Sequence, residues 1–180
     1  MKKLLLAALT VGALSVVSGE ALAQGALSQN SHPMAFSFNV GPRIGLSGSG
    51  VTARINPEFQ LHFGSRYEGP MVGLGLAIQP GFGGVGLSFA PRFQWDIQIV
   101  PGTAFFLSPY GGMDVGVVLY GNGAGFLMDP NFGLDLKFVV VNRLLLGFRP
   151  IGIGVPILIA NNGTFVGVTY DIAFSIGATF

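Results

Sequence analysis

Apolar residues alternate with small or polar ones, position by position, through almost every stretch after residue 34, and this period of two limits the available folds more than any other feature. In 170–180, Tyr170, Ile172, Phe174, Ile176, Ala178 and Phe180 fall on one parity, with Asp171, Ala173, Ser175, Gly177 and Thr179 on the other. Successive side chains of a strand point to opposite faces, so this is a strand lying between two unlike surroundings.

The pattern recurs over 35–47, 51–65, 70–79, 84–99, 104–120, 125–140 and 144–160, which with the last segment predicts eight strands. The first sets Phe36, Phe38, Val40, Ile44 and Leu46 against Ser37, Asn39, Gly41 and Arg43. Turn residues such as Ser47-Gly48-Ser49-Gly50, Gly121-Asn122-Gly123 and Asn161-Asn162-Gly163 join neighbouring segments, as tight hairpins require. In the third segment the polar parity includes Gly73, Gly75 and Ala77, leaving room for side chains that we expect from the fourth. Pro42, Pro57, Pro91, Pro109, Pro130 and Pro150 all fall on the apolar parity. Each removes a ladder donor, and nothing in the pattern accounts for their number. After Pro150 the parity becomes ambiguous, and a bulge there is expected to shift the register.

Charge decides what surrounds these strands. The nine basic and eight acidic residues, less Lys2, Lys3 and Glu20, leave seven of each after position 23. A soluble domain usually covers its surface with about 25–35% charged residues, far more than this. No later segment supplies the roughly 20 unbroken apolar residues of a membrane helix. The expected fold is therefore all-β: an eight-stranded antiparallel up-and-down transmembrane barrel over 35–180. A lipocalin-like soluble barrel would turn the polar face to water, but that face is mostly Gly, Ser, Ala and Asn. Arg43, Arg54, Glu58, Arg92, Asp96, Asp114, Asp129, Asp135, Lys137, Arg149 and Asp171 share the polar parity and are expected in the lumen, while Arg66, Glu68 and Arg143 lie in turns. An eight-stranded interior is just wide enough to be filled by side chains, so these charges should pair. A filled lumen is the first reading and a narrow polar path the alternative. A turn centred near Asn142 places Asp135 opposite Arg149.

The start of the chain predicts export. Met1-Lys2-Lys3, an apolar run over 4–17 and Ala21-Leu22-Ala23 make a signal peptide over 1–23, followed by a polar leader over 24–34. With no cysteine there is neither a disulfide framework nor a lipid-modified cysteine. The balanced charge argues against nucleic acid, and two histidines offer no metal cluster, so no cofactor is expected. His62, Ser65 and Glu68 lie close in sequence, but His62 and Ser65 have opposite parity, which argues against a catalytic group. His32 falls in the leader.

The signal peptide, the eight alternating strands, the small inward residues and a last strand ending in Phe180 together resemble the small eight-stranded bacterial outer-membrane barrels, such as the OmpA transmembrane domain and OmpX. The resemblance implies residence in the outer membrane, outer-membrane lipid as surroundings, and termini at the periplasmic end. It also implies that Tyr170, Ile172, Phe174, Ile176 and Phe180 form a signal read by the barrel assembly machinery. The loops are shorter than is common in that family, and no peptidoglycan-binding domain follows Phe180. The implied role is structural or unassigned, with a channel or transporter for small or lipophilic molecules and a lipid A-modifying enzyme as alternatives. Nothing in the pattern sets the oligomeric state. Mass spectrometry of the exported protein should find its N-terminus at Gln24; a terminus retained at Met1 would contradict the signal-peptide reading.

Overall fold

The computed structural model describes residues 33–46, 50–63, 68–81, 84–100, 103–121, 123–140, 143–161 and 163–180. The expected signal peptide, the leader up to His32, and the turn residues Ser65 and Arg66 lie outside these ranges. The strands are β1 (Met34–Gly45), β2 (Gly50–His62), β3 (Gly69–Gly81), β4 (Gly84–Gln98), β5 (Phe105–Tyr120), β6 (Gly123–Val140), β7 (Leu144–Gly154), β8 (Ile157–Ala160), β9 (Gly163–Val166) and β10 (Thr169–Thr179). From β1 to β7 consecutive strands pair antiparallel, β8 pairs with β6 and β9, and β10 lies between β7 and β1 to close the sheet. β7 with β8 forms one stave and β9 with β10 another, so the barrel has the eight staves that the alternation predicts. The two broken staves are bridged where Gly167 N–H donates to the Pro156 carbonyl at 3.0 Å.

A row of paired residues shows how the barrel closes. It runs from Ala35 through Gln60, Gly73, Arg92, Gly112, Asn131, Gly154 and Thr169, and meets β1 again at Gly45, ten residues beyond its start. Such a stagger tilts the staves and, with eight of them, sets a narrow interior. At the end where β1 begins and β10 finishes, the terminal end of the barrel, Met34 and Phe180 exchange backbone hydrogen bonds of 3.1 and 2.8 Å.

The bulge expected near Pro150 lies there. From Leu136↔Phe148 to Leu134↔Ile151, β7 spends one residue more than β6, and its pairing with β10 shifts at the same place. Leu145 and Arg149 point inward before the bulge and Gly152 and Gly154 after it, so parity reverses across Pro150.

The other strand prolines now have a physical account. A strand residue sends its N–H and C=O toward the same neighbour, so an outward proline weakens one ladder and spares the other. The β1–β10 ladder skips Pro42, β2–β3 skips Pro57, and β4–β5 skips both Pro91 and Pro109. On their other sides Pro42 pairs with Ala53, Pro57 with Phe38, Pro91 with Leu74 and Pro109 with Leu134 without interruption.

Outward positions carry the exposed apolar side chains, among them Phe36, Phe59, Leu87, Phe93, Trp95, Phe132 and Phe174, the last 60% exposed. Inward positions are packed by partners of unequal size. The space beside Gly73 is taken by Glu58 and that beside Gly75 by Asn56, whose Oδ1 lies 2.6 Å from where a Cβ would stand. These occupants come from β2 rather than from β4 as expected, because the long side chains of β2 lean across its β3 neighbour.

Close approach also explains Gly41, where an added Cβ would strike backbone atoms of Ile172 and Ala173. Gly111 meets nothing within 4 Å. Gly41→Ala should therefore destabilise the barrel by about 1–3 kcal/mol, whereas Gly111→Ala should stay within about 0.5 kcal/mol of the parent. Urea unfolding in lipid vesicles measures both, and equal effects would contradict this packing.

Candidate functional site

The eleven charges of the polar parity all lie buried inside the barrel, and each has an opposite charge within 3.5 Å. They form three tiers along the axis. Nearest the chain termini, Lys137 Nζ donates to both Asp96 oxygens at 3.1 and 3.2 Å. His62 Nε2 lies 2.9 Å from Asp96 Oδ2, and Gln94 donates to Oδ1 at 3.2 Å. Below this tier Ala35, Ala104, Phe106, Val139 and Leu145 form an apolar plug.

In the middle tier Arg149 grips Asp135 with two bonds, Nε to Oδ1 at 2.6 Å and Nη2 to Oδ2 at 2.9 Å. The bulge lies at this point of β7, on the register set by Val140↔Leu144 and Phe138↔Leu146. Arg92 Nη1 is shared between Glu58 at 3.3 Å and Asp135 at 3.5 Å. Both guanidiniums also lie over the Tyr110 ring, Arg92 4.4 Å and Arg149 4.3 Å from its centroid. A cation over an aromatic face is attractive, and here two cations share one ring. Gly133 and Gly152 make room for the phenol, whose oxygen would lie 2.8 Å from a Cβ at either.

In the third tier, farthest from the termini, Arg43 reaches Asp129 at 2.5 Å and Asp171 at 2.9 Å. Arg54 reaches Asp114 at 2.7 Å and Asp171 at 3.4 Å. Gln79 accepts from Arg43 at 2.9 Å and Asn131 donates to Asp114 at 3.1 Å. Three carboxylates here face two guanidiniums.

Tyr110, Gln79 and Asn131 are inward residues that charge alone did not single out; parity places all three inside. His62, Ser65 and Glu68 are not brought together as a described group, because His62 turns inward onto Asp96, Glu68 is exposed in the turn and Ser65 lies outside the described residues. A void of about 10 Å³ beside His62 and Asp96 is too small for a substrate. Among the described residues no group of three or more His, Cys, Asp or Glu is arranged to hold a metal ion. Tyr170, Ile172, Phe174, Ile176 and Phe180 line the outer face of the last stave, with Phe174 stacked on Phe148 at 4.9 Å and Phe180 6.2 Å from Phe59.

Removing one partner of a buried pair leaves an uncompensated charge, at a cost of about 3–5 kcal/mol. Arg149→Leu should therefore destabilise more than Arg149→Leu combined with Asp135→Leu, read as unfolding free energies in a double-mutant cycle. A double variant as unstable as the sum of the single ones would mean that water already solvates both groups.

No protein-family model matches the sequence, and no curated protein sequence is similar to it. Solved structures are. Neisserial surface protein A shares 10% identity, with 84% of this chain and 99% of that one aligned at a TM-score of 0.57. The N-terminal β-barrel domain of Pseudomonas aeruginosa OprF shares 9% identity over 84% of this chain and all of that one, at a TM-score of 0.56. At such identities the likeness speaks for architecture alone, and in architecture the chain is a small eight-stranded β-barrel of the outer-membrane type.

Proposed function

We propose that the protein resides in the bacterial outer membrane as a lipid-embedded barrel with a closed, ion-paired lumen and a structural, non-catalytic role. The observation that carries this reading is the combination of an apolar exterior with an interior in which each of the eleven charges has an opposite charge within 3.5 Å. A soluble barrel of this size would have to wet an outer face rich in Phe and Leu. In a bilayer that face is solvated by acyl chains, and through the closed circuit of β1 to β7 and β10 the backbone is paired on both sides.

The last stave supports a role for its outward residues in recognition by the barrel assembly machinery. Tyr170, Ile172, Phe174, Ile176 and Phe180 form a continuous apolar stripe at the seam where the barrel closes. Once closed, Phe180 holds β1 through its backbone, so the ring itself is available for an assembly partner beforehand.

Two measurements test the reading. Leu134→Arg and Phe174→Arg should each cost about 2–4 kcal/mol in folding titrations with lipid vesicles, the penalty for a cation on a lipid face; negligible costs in both would place the barrel outside a membrane. Deleting Phe180 should lower the amount of heat-modifiable barrel in outer-membrane fractions, and undiminished assembly would refute the proposed signal.

A further inference from the structure

The polar lumen does not continue to the far mouth. Beyond Arg43 the inward residues change character, and Val118, Tyr120, Leu127, Pro156, Leu158 and Phe165 enclose a cavity of about 280 Å³. It opens into a wider vestibule of about 520 Å³ between the β5–β6 and β8–β9 hairpins, sharing Tyr120, Leu158 and Phe165 with it. A filler of the lumen has no need of apolar side chains here, since this end of a barrel meets water or lipid headgroups. Together the two spaces fall in the range of about 300–1,000 Å³ typical of small-molecule sites, which are mostly apolar with a few placed polar groups.

The polar groups sit at the floor. Arg43, Gln79 and Thr169 close the cavity from below. Thr169 is 5% exposed and its hydroxyl has no hydrogen-bond partner. A buried hydroxyl without a partner is costly, and a ligand group reaching the floor would satisfy it. Immediately beneath, Asp114, Asp129 and Asp171 face only Arg43 and Arg54, an excess of one negative charge. That excess disfavours an anion at the floor.

We propose that this cup binds a small lipophilic molecule, neutral or singly cationic, that sets one hydrogen-bonding group against Thr169 and Gln79 and its apolar body among Val118, Leu127, Leu158 and Phe165. The tiers below seal the floor, so the site is a dead end that holds its ligand rather than a passage. The inference stands on the cavity itself, and a failure to bind would leave the membrane reading untouched.

N-phenyl-1-naphthylamine and 1-anilinonaphthalene-8-sulfonate share one aromatic skeleton and differ by a sulfonate, so they isolate the charge requirement. With the full chain in phosphatidylcholine nanodiscs and empty nanodiscs subtracted, the neutral amine should show a saturable fluorescence component near one equivalent per barrel, and the sulfonate none. Gly86 lines the cavity, and a Cβ added there meets only ordinary contacts, the nearest 3.4 Å from Gln79. Gly86→Phe should therefore fill the cup and abolish the saturable component, while Thr169→Val should weaken it by about three- to tenfold, the worth of one hydrogen bond. Heat-modifiable mobility checks that each variant folds; if Gly86→Phe does not, Thr169→Val and the sulfonate decide. Binding that does not saturate above bilayer partitioning, that is unchanged in Thr169→Val, or that is equal for the sulfonate would overturn the proposal.

Discussion

The structure depends on one constraint: polar groups cut off from water must satisfy one another. On the outer side this applies to the backbone, and the β1–β10 seam answers it by joining β1 to β7 and β10 into a closed circuit. In the lumen it applies to side chains, and the answer is three tiers of ion pairs. The first requirement sets the number and stagger of the staves. The second determines which residues point inward from each.

Inward glycines link the two. Arg92, Arg149 and Tyr110 stack in the middle of the barrel because Gly133 and Gly152 present no Cβ to the phenol. Gly73 and Gly75 do the same for Glu58 and Asn56, and Gly154 for Arg43 and Thr169. Large polar side chains on one stave thus fit the gaps on the next, and the voids beside Arg54 and beside His62 are each only about 10 Å³. The outward prolines obey a related economy. Each gives up a donor toward one neighbour only, so no stave loses both of its ladders at the same level.

Much of this was legible in the alternation. Because strand side chains repeat every two residues, parity alone placed Arg43, Asp96, Asp135 and the other charges on one face, and the tight turn at Asn142 aligned Asp135 with Arg149. The bulge at Pro150 was legible as a loss of pattern, since a residue inserted there reverses the parity of everything after it. What remained hidden depended on stagger, a property of the closed circuit rather than of any segment. Pairing partners such as Arg54 with Asp114, or Arg43 with Asp129, lie across the lumen on staves that are not neighbours, and no local register reveals them. The occupants of Gly73 and Gly75 were assigned to β4 for the same reason: lean across the pleat is invisible to parity. The distal cup had a signal that charge counting passed over, namely Val118, Leu127 and Phe165 standing as apolar residues on the polar parity.

The central claim is that the lumen is filled and closed, and electrical conductance across a planar bilayer tests it most directly. With the purified barrel inserted, and insertion verified by fluorescent label, the account predicts a current indistinguishable from that of the protein-free membrane at any holding potential the bilayer withstands. Reproducible unitary steps, selective for one sign of ion, would contradict it and would make the tiers of Arg, Lys and Asp the lining of a pore.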